Sequence, residues 1–430
     1  MVREQVEANG IFLGWKVVAT AFVVALFSWG FAFYGSGVFL HALHQDRGWP
    51  ISVISSAITT QYVLSAGVVA YLSDIHQRLG IARTTRIGMV LLALGTLGWA
   101  LAPEPWQLFP LSLVTGAGWA VTSGAAINAM VSPWFDRRRA SALSHALNGA
   151  SVGGVIMTPL WTASIGALGF PAAAALLGAV MLAMIWPLAG AYLQCAPHEL
   201  GLLPDGAAAG TVPATTEPAQ PPLSRAALFR TPRFLTLSMA FALALFAQVG
   251  LLAHLVSMMA PRLGDPGAAV AVSVTTVAAI TGRLLMAAVP PEFDRRIASA
   301  LNLLLQVAGS ALLTLGTPIP SFVGCALFGL GVGNVVSLPP LIAQAEFSSA
   351  DVLRVVALVT AVNQVFFAFA PALFGTLRDL TGSYALPIAL AAALQIAATI
   401  VILLGRSAGA RSDQAPGAVP SNASRNRFLM

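Results

Sequence analysis

Ala268-Ala269-Val270-Ala271-Val272-Ser273-Val274-Thr275-Thr276-Val277-Ala278-Ala279-Ile280-Thr281-Gly282-Arg283-Leu284-Leu285-Met286-Ala287-Ala288-Val289 contains a single charged side chain, that of Arg283. A helix over this run is long enough to cross the ~30 Å hydrocarbon core of a bilayer. A guanidinium inside such a helix costs about 2.5–3.5 kcal/mol on insertion scales, so it demands a substrate, a partner or a route to the membrane surface. Eleven more runs of similar character accompany it, at about 14–40, 51–72, 85–102, 107–131, 140–165, 170–193, 234–259, 297–316, 320–345, 355–377 and 383–404. Charged residues make up 9% of the chain, against about 25% in ordinary soluble domains. Mean hydropathy is +0.81. These features predict an all-α membrane protein with twelve transmembrane helices.

The basic residues set an orientation. With the N-terminus in the cytoplasm, the inner segments hold eighteen of the 22 Lys and Arg, and the outer ones only Arg47, Arg262 and Arg378. That is the positive-inside pattern, with both termini cytoplasmic. It accounts for the net charge of +6 without nucleic acid, which is excluded as a partner; the lipid bilayer is the expected surroundings. The first apolar run is too long for a signal-peptide core and lacks a small-residue cleavage site, so it is expected to stay as a span. Cys195 and Cys325 have no spacing that suggests a disulfide or a metal site. Neither metal nor cofactor is expected. The use of Arg over a single Lys, with abundant Ala, points to a high-GC bacterium and hence to its inner membrane.

A hydrophilic Pro/Ala/Thr-rich stretch divides the runs six and six. The expected organisation is a first six-helix bundle over 1–193, a cytoplasmic linker over 194–233, a second bundle over 234–406 and a disordered tail over 407–430. An internal repeat supports the division. Arg139, Ala142, Leu143, Ala146 and Asn148 recur as Arg354, Ala357, Leu358, Ala361 and Asn363, shifted by about half the chain. Gly116 and Gly118 recur as Gly329 and Gly331. Both halves begin on the same side, so the repeats are parallel, as in carriers built from two six-helix bundles.

The chain resembles the major facilitator superfamily over nearly its whole length. Two segments resemble that superfamily's monocarboxylate and oxalate/formate transporter branch. One runs from Gly14-Trp15-Lys16-Val17-Val18 through Tyr34-Gly35-Ser36-Gly37-Val38-Phe39 to Gly48-Trp49-Pro50-Ile51-Ser52. The other is Trp134-Phe135-Asp136-Arg137-Arg138-Arg139-Ala140-Ser141-Ala142, continuing to Gly149-Ala150-Ser151-Val152-Gly153-Gly154. The resemblance implies that Arg283, in Thr281-Gly282-Arg283, contacts a substrate carboxylate, for which the two-pronged guanidinium is suited. It also implies conformational latches at Asp74, Arg78 and Arg83 after span 2, and at Asp294 and Arg295 after span 8. The sequence departs from the branch in three places. Ala279 stands where an Asp is common one turn before the Arg, Tyr34 where a basic residue can occur, and span 11 has amides in place of a second cation.

Further candidates for substrate contact are Asn148, Asn363, Gln61, Gln248, Gln364 and Tyr34, the amides because polar groups in hydrocarbon must find partners or face a wet cavity. Bonding between helices is the alternative for each. His145 and His254 are the candidates for proton handling, with a structural hydrogen bond as the alternative. No acidic residue falls deep in a span, and no catalytic motif occurs; Ser141, Ser144 and His145 have no acid at matching depth. An enzyme is not expected. The expected function is alternating-access transport of a small organic anion, such as a monocarboxylate, coupled to protons or to exchange, by a chain acting as a monomer. Efflux of a neutral or amphipathic compound is the alternative within transport, and a non-transporting membrane sensor the alternative outside it.

Overall fold

The computed structural model describes residues 12–200, 202–206, 223–290 and 292–412, and their long elements are all helices. Ten of these helices are individually long and apolar enough to cross a membrane. The count becomes twelve crossings for two reasons. One helix of 56 residues, Pro232–Ala287, is two spans in one, and the span near 108–131 is broken into shorter pieces. The twelve are α1 (Leu13–Arg47), α2 (Ile51–Val69), α3 (Ile81–Leu101), α4 (Leu108–Ala120, resuming as Gly124–Val131), α5 (Arg139–Leu168), α6 (Phe170–Tyr192), α7 (232–263), α8 (265–287), α9 (Arg295–Leu313), α10 (Pro318–Glu346), α11 (Ser349–Phe367, resuming as Ala370–Thr381) and α12 (Ala385–Ser412).

The reversal between α7 and α8 is made at Gly264, whose φ of 69° and ψ of 167° no helix permits. Side-chain contacts show how far the chain turns back. Gln248 of α7 bonds Gln306 of α9 at 2.7 Å. Gly331 of α10 presses on that same Gln306, and the adjoining Leu330 carbonyl lies against Gly282 of α8. Residues 248 and 282 thus share one depth, with Gly264 near the midpoint between them.

The sequence repeat has a structural counterpart. Gly116 lets α4 close onto the α2 backbone at Gln61, and Gly329 lets α10 close onto the α8 backbone at Thr275. Gly118 packs α4 on α3, and Gly331 packs α10 on α9. Small residues at these crossings allow the close van der Waals contact that drives helix association in lipid. Arg47 and Arg262, two of the three expected outer cations, mirror one another as well. Arg47 donates to the Ala100 carbonyl at the end of α3, and Arg262 to the Leu313 carbonyl at the end of α9.

Helix α1, 35 residues long, is interrupted by a π-helical turn at Trp29–Phe33. Its displaced carbonyls find side-chain donors: Trp161 bonds the Gly30 oxygen at 3.1 Å and Gln61 the Ala32 oxygen at 2.9 Å. At its C-terminal end α12 continues as helix to Ser412, past the expected tail boundary at 407. Residues 207–222, including the Pro-rich part of the expected linker, and 413–430 lie outside the described residues.

Contacts between the two halves concentrate away from the arginine-rich helix ends. His41 Nε2 meets Asp265 Oδ1 at 2.9 Å, the Ser52 amide donates to Asp379 at 2.7 Å, and the Ala372 amide donates to Thr59 at 3.1 Å. Gly375 of α11 packs on Ser55 of α2, and Gly37 of α1 on the carbonyls of Ala253 and Leu252. At the arginine-rich end a cavity of about 560 Å³ opens along α1 and α5.

Candidate functional site

Arg283 does not turn back toward the arginine-rich end of α8. Its Nη2 donates to Ser151 Oγ at 2.5 Å, on α5 of the opposite half. Ser151 is twelve residues into α5, so the guanidinium sits roughly 18 Å along that helix from its arginine-rich end. The stem rests on Gly333, where a β-carbon would stand 2.8 Å from Arg283 Cγ, near the middle of the 29-residue α10. The side chain is therefore deeper than its position in the sequence suggests, and snorkelling is not its role. Arg283 is half-buried, and among the described residues no carboxylate pairs with it. A guanidinium has five N–H donors; the hydroxyl of Ser151 takes one.

The seat of Arg283 is built from backbone contact. A β-carbon on Gly282 would fall 1.9 Å from the Leu330 carbonyl oxygen, so only glycine lets α8 and α10 meet there. Buried Asn334 reinforces the crossing by donating Nδ2 to the Gly282 oxygen at 3.3 Å and to Asn302 Oδ1 at 2.9 Å. Asn302 in turn donates to the Gly331 oxygen at 3.1 Å. Across the halves, Gly154 of α5 lies against the Tyr34 ring and the Thr276 methyl, where a β-carbon would be 2.7 and 2.5 Å away. Ser273 Oγ of α8 donates to the Val155 oxygen of α5 at 2.9 Å. Tyr34 is close enough to Arg283 to interact with it electrostatically. Arg283 and Tyr34, each an expected substrate contact, are thus brought together, with Ser151 on α5 facing them.

Asn148 lies one turn before Ser151 on α5 and lines the open cavity with Trp15, Val18, Phe22 and His145. His145 is exposed there, with its ring 5.9 Å from that of Trp15. Asn363, the repeat mate of Asn148, is buried, and its Oδ1 has no hydrogen-bond partner among the described residues. Gln364 is half-buried without a bond to another described residue.

Three expected functional residues are instead committed to packing. Gln61 donates to the Ala32 oxygen and accepts from Thr115 Oγ1 at 2.9 Å, joining α1, α2 and α4. Gln248 donates to Gln306, which also accepts from Gln395 at 3.2 Å, joining α7, α9 and α12. Both amides are buried within one half, away from the cavity walls, because an amide in hydrocarbon is most cheaply satisfied by a neighbouring helix. His254 is buried, with Nε2 3.0 Å from the Pro371 oxygen and Nδ1 3.3 Å from the Tyr384 hydroxyl. A carbonyl only accepts, so Nε2 carries the proton and Nδ1 is left to accept from Tyr384. These bonds tie α7 to α11 and to Tyr384, the residue before α12.

The expected latches also divide. Asp74, Arg78 and Arg83 are exposed and make no hydrogen bond or ion pair with a described residue. Asp294 caps α9 by accepting from the Arg296 and Ile297 amides and binds Arg406 at 2.6 Å. Arg296, not Arg295, forms the buried contact. Its Nε and Nη2 grip both oxygens of Glu346 at 2.6 and 2.8 Å, and it also donates to Thr236 and to the Arg233 and Ile402 oxygens. Arg295 Nη1 is buried without a hydrogen-bond partner among the described residues. Neighbouring arginines at a helix start look alike in sequence; the turn of α9 decides which one faces inward.

No His/Cys/Asp/Glu group among the described residues could hold a metal ion.

The profile of the Major Facilitator Superfamily matches residues 20–371. Monocarboxylate transporter 11 of Homo sapiens is 31% identical over 176 residues, 39% of this chain and 36% of that protein. The chain thus matches little more than a third of that relative's length. The cyanate transport protein CynX of Escherichia coli (strain K12) is 25% identical over 365 residues, 81% of this chain and 86% of that protein. The solved nucleoside transporter NupG superposes with a TM-score of 0.69 at 11% identity, covering 93% of this chain and 99% of its own. With a profile match across most of its length and that fold around it, the chain belongs to the major facilitator superfamily.

Proposed function

We propose that the chain is a secondary transporter that moves a small organic anion, a monocarboxylate in the first instance, across a bacterial inner membrane by alternating access. The observation that carries this reading is Arg283: mid-depth, half-buried, reaching across the two halves and without a carboxylate partner among the described residues. An anion placed there gains charge-assisted hydrogen bonds from a two-pronged donor. It also removes the cost of a lone charge in a low-dielectric site. Tyr34 and Ser151 lie beside Arg283 and Asn148 lines the open cavity one turn from Ser151, while α11 carries Asn363, the repeat mate of Asn148, with Gln364 next to it. Rocking of the two bundles about this point would expose the site alternately to each side. The relatives named for monocarboxylate and for cyanate are, by those names, handlers of small monovalent anions.

The arginine-rich ends are assigned to the cytoplasm by the positive-inside pattern, so the open cavity faces inward. The test is uptake of labelled pyruvate into lipid vesicles containing the purified chain. Uptake should be saturable with the native chain and fall to the level of protein-free vesicles with Arg283→Gln. Unchanged uptake in that variant would sink the anion-site reading. Apolar walls at Trp15, Val18 and Phe22 favour a second reading, efflux of an amphipathic compound, in which transport would survive that substitution.

A further inference from the structure

We infer that Gln61 and Trp161 are positioning residues for the bound anion: they hold the π-helical turn of α1 that aims the Tyr34 hydroxyl toward Arg283. The inference rests on the anion-site reading and adds to it what places the phenol. A π-helical turn takes in one residue more than an α-helical turn and often marks a functional site. Here the Tyr34 amide donates to the Trp29 carbonyl, five residues back instead of four. One extra residue rotates everything beyond it by roughly 100° about the helix axis. The direction that Tyr34 takes would belong to Phe33 in an uninterrupted α-helix. A phenyl ring there offers an anion no donor, whereas the phenol offers an O–H.

That direction matters because of where it ends. The Tyr34 ring lies against Gly154 of α5, its hydroxyl-bearing Cζ 2.7 Å from where a β-carbon would stand. Gly154 is one helical turn beyond Ser151, whose hydroxyl accepts from Arg283 Nη2 at 2.5 Å. A carboxylate that displaces Ser151 from the guanidinium therefore arrives at the turn of α5 that the phenol faces. The Tyr34 O–H is the neutral donor next to it.

A π-helical turn leaves carbonyls displaced from the helical ladder, and away from water each needs a donor. Two side chains supply them. Trp161 of α5 donates Nε1 to the Gly30 oxygen at 3.1 Å, with its ring packed edge-on against Phe31 and Phe39. Gln61 of α2 donates Nε2 to the Ala32 oxygen at 2.9 Å, and its own oxygen is fixed by Thr115 Oγ1 of α4 at 2.9 Å. Both side chains are buried. Gly35 leaves room for the displaced Gly30 oxygen, which a β-carbon would approach to 2.6 Å. Without one of these donors a buried carbonyl is left bare, and the backbone satisfies it by closing toward the ordinary α-helical ladder. That motion turns Tyr34 away from Arg283. Neither Gln61 nor Trp161 touches the anion; both act through Tyr34.

The experiment is a double-mutant cycle on the full chain, read as pyruvate affinity by calorimetric titration. Trp161→Phe removes the N–H and keeps an aromatic ring, and Gln61→Leu removes the other donor at similar volume. Tyr34→Phe alone should weaken binding about tenfold, the scale of a hydrogen bond to a charged group. Trp161→Phe and Gln61→Leu should each weaken it several-fold in the native background, and by less than about twofold once Tyr34 is Phe. Loss of packing alone would carry over equally into both backgrounds, and that additive result overturns the inference. Native affinity in both single variants overturns it as well. Where a variant fails to fold by its melting curve, Thr115→Val, which only loosens Gln61, takes its place in the cycle. Native affinity in Tyr34→Phe beside lost affinity in Arg283→Gln overturns the inference and leaves the anion site standing. Native affinity in Arg283→Gln rejects the anion reading itself and this inference with it.

Discussion

A guanidinium in hydrocarbon lowers its energy by reaching water or by finding negative charge, and the direction of its side chain tells the two apart. Arg283 points away from the nearer surface and across the molecule to Ser151. Hydrogen bonds to a charged group contribute about 1.5–3 kcal/mol, so losing them should weaken anion binding about 10- to 150-fold. Arg283→Lys should keep part of the affinity, since the charge remains and the planar fork is lost. Ser151→Ala should bind pyruvate several-fold more tightly, because the anion no longer competes with the hydroxyl; calorimetric titration of both variants checks the order. Arg283 was legible in the sequence as the lone charge of its run. Ser151, Asn302 and Asn334 were not, because serines and amides are scattered through many spans and only the fold shows that Ser151 meets Arg283 while the two asparagines brace the crossing at Gly282. Gln61 and Gln248 misled for the same reason: a buried amide that bonds another helix looks, in sequence, like one that faces a substrate.

At the scale of elements, the site is held by close helix crossings more than by hydrogen bonds. Gly282→Val would drive side-chain atoms into the Leu330 backbone, and overpacking of this kind costs typically 1–3 kcal/mol. The expected result is a lower unfolding temperature in detergent together with weaker anion binding, since the same crossing seats Arg283. Glu346→Ala should cost about 3–5 kcal/mol, because it leaves Arg296 buried and unpaired among α7, α9, α10 and α12. If that variant melts with the native chain, Arg296 is satisfied by its carbonyl and hydroxyl partners alone. Hydrophobic length made the spans legible, within a few residues at most ends. It did not reveal the break in α4 at 121–123 or the π-helical turn in α1, since neither changes the apolar run that contains it. The choice of Arg296 over Arg295 was also beyond its reach.

The molecule as a whole is closed at one end by contacts between halves and open at the other. Joining His41→Cys to Asp265→Cys with a short thiol cross-linker should hold that closed end and stop transport, with recovery when a cleavable linker is cut. Retained transport after complete cross-linking would mean that this end does not open. The described ends of the connecting segment are also fastened. Asp205, at φ 61°, accepts from the amides of Arg137, Asp136 and Arg138 just before α5, while Leu223 pairs through its backbone with Asp351 and Arg354 at the repeat-equivalent start of α11. Desolvation works against ionisation of Asp205, and the three amides outweigh it, holding the carboxyl below its ordinary value. A depressed carboxyl contributes its stabilisation above the unfolded value, about 3.9, and loses it as pH falls through the folded one. Amide exchange at Asp136–Arg138 should therefore be protected at neutral pH and lose protection only as pH falls below the ordinary carboxylate value; Asp205→Ala should lack it throughout. The close crossings of α4 and α10 were legible through the repeated glycines, because the two helices solve the same packing problem. The docking of Asp205 was not, since an isolated Asp in a loop carries no sign of what it will touch.

Whether Arg283 is where the transported anion binds is read from the pyruvate affinity of the purified chain by calorimetric titration, native against Arg283→Gln. The native chain should show one saturable site and the variant a loss of affinity of about tenfold or more, with the variant still folded by its melting curve. Equal affinities in two folded proteins would contradict it.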